Sequence, residues 1–263
     1  MIEYQPIPVL FHLGSFNIYT YGVVIVVAIL TALFFILKKA KKEGIKEEHV
    51  YNLVLSIIIG SLVLGRLFYF FANISEFSSF MDVFAIWRGG FFEMGTLTGG
   101  LIGALIYTKK AKLDFTQVMD LIVPYVALTF AIGRIGCFLR GCCFGTPTSL
   151  PWGIIYSEKS LVAEAGLAGV PLHPTQLYLV LSNLIIFLIL LRVNKPSKLK
   201  KPLFKGTPFL LFLFLFSLQR ILIDFVRYYP EKYYVSSFTV FQIAYFLIFI
   251  FVAVLLLKKL KFK

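Results

Sequence analysis

An all-α, polytopic integral membrane protein is the fold class the sequence predicts, and three observations predict it. Hydrophobic residues make up 59% of the 263 positions and charged residues only 15%, where a soluble chain carries about a quarter charged. Mean hydropathy is +0.86. Apolar runs recur near the length of about 20 residues that takes a helix across roughly 30 Å of hydrocarbon, where a helix satisfies its own backbone. This balance excludes a soluble domain and a disordered chain, and three cysteines are too few for a disulfide scaffold.

Seven spans are expected: Asn17 to Leu37, Val50 to Phe71, Phe91 to Thr108, Phe115 to Leu139, His173 to Leu191, Thr207 to Val226 and Ser237 to Leu257. The segments after the first, third, fifth and seventh hold 18 Lys and Arg, whereas the amino end and the other three loops hold five. Cytoplasmic loops attract such residues, so the amino end is expected outside and the carboxyl end in the cytoplasm. The net charge of +13 then reflects topology, and no nucleic acid is needed as a partner. No Lys or Arg precedes the first span, so it reads as a retained helix rather than a cleaved signal. Without a repeat or a long linker, residues 1–263 are expected to form a single integral domain.

Two external loops stand out, Arg140 to Leu172 and Asn73 to Gly90. In the latter, Phe77, Phe80, Met81, Phe84, Ala85 and Trp87 are spaced either as an interfacial amphipathic helix or as an ordinary connector.

Arg66, Arg134 and Arg220 are the three basic residues inside spans. Each costs about 2.5–3.5 kcal/mol at a helix centre and needs a partner, a cavity or a ligand. All three fall toward the outer leaflet in the expected topology, as do Tyr21, Glu93, Thr96, Thr98, His173 and Gln176. Arg220, Asp224 and Arg227 follow an i, i+4, i+7 spacing and so are expected on one stripe of the sixth helix, with Arg220 and Asp224 able to pair. That pair could fix helix packing, or it could orient an arginine toward a ligand. A guanidinium stays charged and offers bidentate donors, so converging arginines suit a phospholipid headgroup or a transported anion.

The richest segment is GRIGCFLRGCCFGTPTSLPWGI, Gly133 to Ile154, followed by HPTQLY at His173 to Tyr178. It resembles the bacterial prolipoprotein diacylglyceryl transferase family, whose signature reads GRxGNFxNxExxG with HPSQLYE downstream. Tyr21-Gly22, GRLFYF at Gly65 to Phe70, GGLIGA at Gly99 to Ala104 and RILIDFVR at Arg220 to Arg227 extend the resemblance over nearly the whole chain. The family also has seven spans and an external amino end.

The resemblance implies an enzyme of the bacterial plasma membrane, multi-pass, with its active site toward the outer leaflet. It implies transfer of a diacylglyceryl group from phosphatidylglycerol to the lipobox cysteine of a lipoprotein precursor. Such a reaction must make a thiolate, place it in line with the glyceryl carbon and stabilise the departing phosphate. Arg134, Arg220, Tyr21, Asp224 (in place of the usual Glu) and His173 are the catalytic candidates. Arg66, Arg227, Gln176, Gly145, Thr98, Cys137 and Cys142 join Arg134 and Arg220 as substrate-binding candidates. No metal and no organic cofactor is implied.

Four positions depart from the family pattern: Cys137 for Asn, Cys142 for Glu, Thr98 for His and Leu179 for Glu. With a histidine absent at Thr98, His173 or a buried Glu93 could serve as base. The cysteines, Cys137, Cys142 and Cys143, cluster within seven residues. They could be small buried packing residues, a disulfide pair, reactive thiols or a metal site with His173, although CxxxxCC is no standard zinc spacing. Two other function classes stay open: a divergent relative that uses these thiols for other lipid or redox chemistry, and a noncatalytic binder or transporter of anionic lipid.

Overall fold

The structure, a computed structural model, describes all residues except 1, 15, 86–88, 159, 195–203 and 262–263, and the side chain of residue 76. Trp87 of the external loop thus lies outside the described residues.

Seven long helices are present among the described residues: α1 (Thr20–Lys42), α2 (Glu47–Ala72), α3 (Glu93–Lys110), α4 (Phe115–Arg140), α5 (Thr175–Val193), α6 (Thr207–Asp224) and α7 (Val240–Lys261). Six of them, all but α3, are long and apolar enough to cross a membrane. The protein is therefore a polytopic membrane protein. Helix α3 has 18 residues but trades apolar bulk for glycines, which lowers its hydropathy.

The helices match the expected spans closely, with departures that have local causes. Helix α1 runs on to Lys42, since lysine is a good helix former and its charge opposes the negative end of the helix dipole. Its start is delayed because β2 (Val9–Leu13) and β3 (Phe16–Tyr19) form an antiparallel hairpin. Helix α7 likewise begins after a small hairpin of β6 (Tyr234–Val235) and β7 (Phe238–Thr239). These strands correct the all-α expectation. A further sheet, in the order β1 (Ile2–Tyr4), β4 (Ile154–Tyr156), β5 (Pro171–Leu172), joins the amino end to the long loop after α4. Strands of two to five residues leave no hydrophobic period to read.

The chain packs as two compact units, one of residues 1–34 and 122–263 and the other of residues 35–121. Both boundaries fall inside helices, α1 and α4, so no linker composition marks them and the sequence reads as one domain.

Within the smaller unit, α2 and α3 lie antiparallel at backbone contact. Gly95, Gly99 and Gly103 form a small-residue stripe on α3 at i, i+4, i+8. A Cβ at Gly99 would collide with the Gly60 carbonyl, and one at Gly103 with the Ser56 carbonyl. Lipid tails give apolar helices no reason to associate, so close approach through small residues supplies the contact instead. The connector that follows α2 forms short 3-10 turns at Ile74–Glu76 and Phe80–Phe84 rather than an amphipathic α-helix. Ser79 and Asp82 close a capping box, Val83 and Ala85 are buried, and Phe80, Met81 and Phe84 face outward.

Within the larger unit, α6 packs on α7 through Phe214 stacked on Phe249, ring centroids 4.6 Å apart, and on α5 through Gln219, whose Nε2 donates to Ser182 Oγ at 2.6 Å. The loop after α4 has its own core of Phe144, Ile154, Tyr156, Val162 and Leu172, with Tyr4, Phe138 and Tyr228 packed against it. That core seats the loop on the end of α4 and fixes the residues between them.

Candidate functional site

Arg220 is the largest fully buried side chain among the described residues, 1% exposed. Its Nη2 lies 3.2 Å from Asp224 Oδ1, an ion pair one helical turn apart. Tyr229 completes a triangle: Arg220 Nη2 donates to Tyr229 Oη at 3.1 Å, and that hydroxyl donates to Asp224 Oδ1 at 3.1 Å. The guanidinium carbon sits 5.2 Å from the centre of the Tyr245 ring. A buried charge must be paired and hydrogen-bonded to be tolerated. Here the carboxylate, the phenol and the ring face of α7 do that together.

Helix α6 ends at Asp224, so Arg227 does not continue the expected stripe. Instead Arg227 forms an antiparallel bridge with Gly145, and its guanidinium carbon lies 4.9 Å from the Tyr229 ring centre. The same tyrosine therefore touches both arginines. Gly145 is needed for this crossing: a Cβ there would lie 2.5 Å from His173 Cβ and 2.6 Å from the Val226 carbonyl. Its N–H donates to the His173 carbonyl at 2.9 Å, and the next residue, Thr146, donates to the Val226 carbonyl at 2.9 Å. Three chain segments thus meet at one glycine.

Arg134 is half-buried on the last turns of α4. The Cys143 thiol is held below its ordinary pKa chiefly by hydrogen bonds with Cys137 and Cys142, with smaller contributions from the Arg227 and Arg134 charges. Tyr21 packs its ring over Gly136, where an added Cβ would come within 3.2 Å of Tyr21 Cδ2. Tyr21, Arg134, Arg220, Asp224 and Arg227 all belong to the larger unit.

The signature departures can now be located. Leu179 is 1% exposed and packs as an ordinary apolar residue of α5. Thr98 is exposed on α3 and Glu93 is half-buried in its first turn. Read across Gly133 to Gly145, the signature's second asparagine also falls on Arg140, which is exposed at the end of α4. Cys137, Cys142 and Cys143 carry no disulfide, and their sulfurs all lie within 4.8 Å of one another. Gln176 is fully buried; its Nε2 donates to the Cys142 carbonyl at 2.8 Å and to Tyr156 Oη at 3.2 Å. Thr175 Oγ1 donates to the Cys143 carbonyl at 2.7 Å.

His173 does not join the sulfurs. Its Nδ1 is 3.2 Å from Tyr178 Oη, and that hydroxyl accepts from Trp152 Nε1 at 2.8 Å. Burial lowers its pKa below the ordinary imidazole value.

Arg66 differs from Arg220 in where its donors go. Its Nε donates to the Val83 carbonyl, Nη1 to Gly89 and Gly90, and Nη2 to Asp82 and Ala85. All five N–H groups of a guanidinium are thereby directed at backbone carbonyls of the connector, and the charge rests on the rings of Tyr69 and Phe77. Arg66 shapes that loop. Tyr229, Tyr245, Tyr156 and Thr175 are residues of this arrangement that sequence reasoning missed. The RYYP context of Tyr229 carries no period or motif that could have found it.

The profile described as prolipoprotein diacylglyceryl transferase matches residues 8–258. A phosphatidylglycerol–prolipoprotein diacylglyceryl transferase of Clostridium tetani is 35% identical over 221 residues, 84% of this chain and 85% of its own. Similarly named proteins of Acaryochloris marina and Geobacter sulfurreducens are 36% and 32% identical, covering 85% and 84% of this chain and 80% and 82% of theirs.

Proposed function

The chain belongs to the prolipoprotein diacylglyceryl transferase family, and we propose how its own residues divide the work of that family's reaction. It is a transferase: the diacylglyceryl group of phosphatidylglycerol passes to the cysteine thiol of a lipoprotein precursor. A thiolate attacks the glyceryl carbon that carries the phosphate ester, the C–S bond forms as the C–O bond breaks, and glycerol phosphate departs.

The leaving group carries negative charge into a site of low dielectric, where preorganised cationic donors are worth most. Arg134 and Arg220 are the donors, and Arg227 adds positive charge at the same end of the larger unit. Asp224 and Tyr229 are positioning residues that hold the Arg220 fork so that it need not reorganise during the reaction. Tyr21, packed on Gly136, lines the approach to Arg134. The buried Arg220–Asp224–Tyr229 triangle is the observation that carries this reading, because a charge this deep is expensive without a functional return.

The topology is seven spans with the amino end outside, which sets the arginines toward the outer leaflet of the plasma membrane. It is supported by the basic residues that close the last turns of α1, α3, α5 and α7, the four helices that would run inward. Glycine-rich α3 is the seventh span, stabilised against α2 rather than by its own hydropathy.

The test is replacement of a bacterium's own transferase by this chain, following growth and the lipid attached to a labelled precursor. Rescue with thioether-linked diacylglyceryl on the precursor is expected. A folded, inserted chain that leaves the precursor unmodified defeats the reading.

A further inference from the structure

Three thiols meet at the end of α4 because the backbone there is forced into an uncommon shape. Gly141 has φ +75° and Cys143 φ +62°, and the second is a conformation that residues with side chains seldom adopt. The turn is held by Gly141 N–H donating to the Phe138 carbonyl at 2.9 Å and by Cys142 N–H donating to the Cys137 carbonyl at 3.1 Å. A side chain in a strained position persists only where surrounding structure determines it. Here Thr175 and Gln176 do so, gripping the Cys143 and Cys142 carbonyls from the start of α5. The result is three sulfurs mutually within 4.8 Å, on a segment where the family signature places an amide and a carboxylate.

We propose that Cys137, Cys142 and Cys143 form a trithiolate site for a thiophilic divalent cation of the zinc class, with the fourth coordination position open to the acceptor thiol. Zinc–sulfur bonds of about 2.3 Å in a tetrahedron set sulfurs about 3.8 Å apart, a contraction of about 1 Å or less from the spacing here. Three thiolates need compensating charge, which the cation supplies. Simple packing of small apolar residues requires neither a left-handed cysteine nor two side-chain clamps on the loop carbonyls. Three protein ligands with an open fourth position is also the arrangement of catalytic rather than structural zinc.

The catalytic half of the proposal rests on the transferase reading above. A thiol that coordinates such a cation loses its proton outright. The lipobox thiol entering the fourth position would release its proton to solvent, attack the glyceryl carbon as thiolate, and leave as a neutral thioether once the C–O bond to glycerol phosphate has broken. This supplies the deprotonation for which Thr98 offers no imidazole.

The test uses the full chain, purified in detergent with its thiols reduced and titrated with Co2+. One Co2+ per chain is expected, with a sulfur-to-cobalt charge-transfer band that Zn2+ abolishes. Cys137→Ser should remove the band, as should Cys137→Asn combined with Cys142→Glu, which restores the family residues and guards against simple misfolding. Gln176→Ala should weaken binding by about tenfold through its hold on the loop. A wild-type chain whose three thiols titrate as reduced yet gives no band overturns the site. For the catalytic half, chelation should lower transfer to a lipobox peptide by at least about tenfold and Zn2+ should restore it. Full transfer by a chain shown to be metal-free overturns that half and leaves the transferase reading standing. A metal-loaded chain that transfers nothing overturns the transferase reading while the cobalt band retains the site.

Discussion

Arg220 and Asp224 form an ion pair in which both side chains are essentially inaccessible, 1% and 0% exposed, with Nη2 and Oδ1 3.2 Å apart. One turn of α6 places them together, so the geometry is set locally. Their burial is set by α7, whose Tyr245 ring covers the guanidinium. Such a pair is weak as a source of stability but costly to halve, because removing one partner strands the other charge.

Asp224→Asn is therefore expected to destabilise the protein by about 3–5 kcal/mol and to abolish transfer. Asp224→Glu, the family's usual residue, should retain both. Thermal unfolding in detergent together with a precursor-modification assay separates the two effects.

Arg134→Ala and Arg220→Ala should each lower transfer by at least about 100-fold, through loss of charge-assisted donors to the departing phosphate. Near-normal turnover in either purified variant would remove that residue from the leaving-group role.

Tyr229→Phe deletes one hydroxyl that both accepts from Arg220 and donates to Asp224. A cost of about 1–3 kcal/mol is expected from the buried groups left without it. Transfer should fall while the ring's packing against Phe241, centroids 4.9 Å apart, is kept. An unchanged kcat would show that Tyr229 does not position the arginine.

Gly145→Ala should prevent the crossing of three segments, since the new methyl meets His173 and the Val226 carbonyl at 2.5 and 2.6 Å. Neither neighbour is a flexible side-chain end. Loss of folded protein, or protease sensitivity in residues 141–172 and 225–230, is the expected readout.

Arg66→Ala should loosen the connector before α3 and leave the larger unit folded. Hydrogen exchange across residues 78–85 and 89–92 is expected to speed up sharply, whereas the amides of α6 should not change. Arg66→Lys is not expected to rescue, because an ammonium cannot direct a planar fork at five carbonyls.

The spans were legible because hydropathy and charge are local quantities, read over about 20 residues at a time. Each helix lies within a few residues of its expected bounds; α1 and α7 start late where Tyr19 and Thr239 end hairpins that no period announces, and both run on through their terminal lysines. The candidate site was legible as a set of rare polar residues and motif positions: Arg134, Arg220, Asp224 and Gly145 all stand on the page of the sequence. Their partners were not. Nothing in residue spacing could distinguish Arg66, whose donors turn to a nearby loop, from Arg220, whose charge is met by Asp224, Tyr229 and Tyr245.

By itself, then, the sequence determined a polytopic membrane protein of the transferase family, because lipid imposes one backbone solution on long apolar runs and the motifs lie in order along the chain. Tertiary structure alone decided which arginine has which partners, that Ile2 to Tyr4 pairs with Ile154 to Tyr156, and that three cysteines point their sulfurs at one spot. Each of those depends on the meeting of segments far apart in the chain or on a single left-handed residue, and neither has a periodic signature. A charge in low dielectric is governed by whatever lies within a few ångströms of it, and distance in space is what a one-dimensional pattern does not hold.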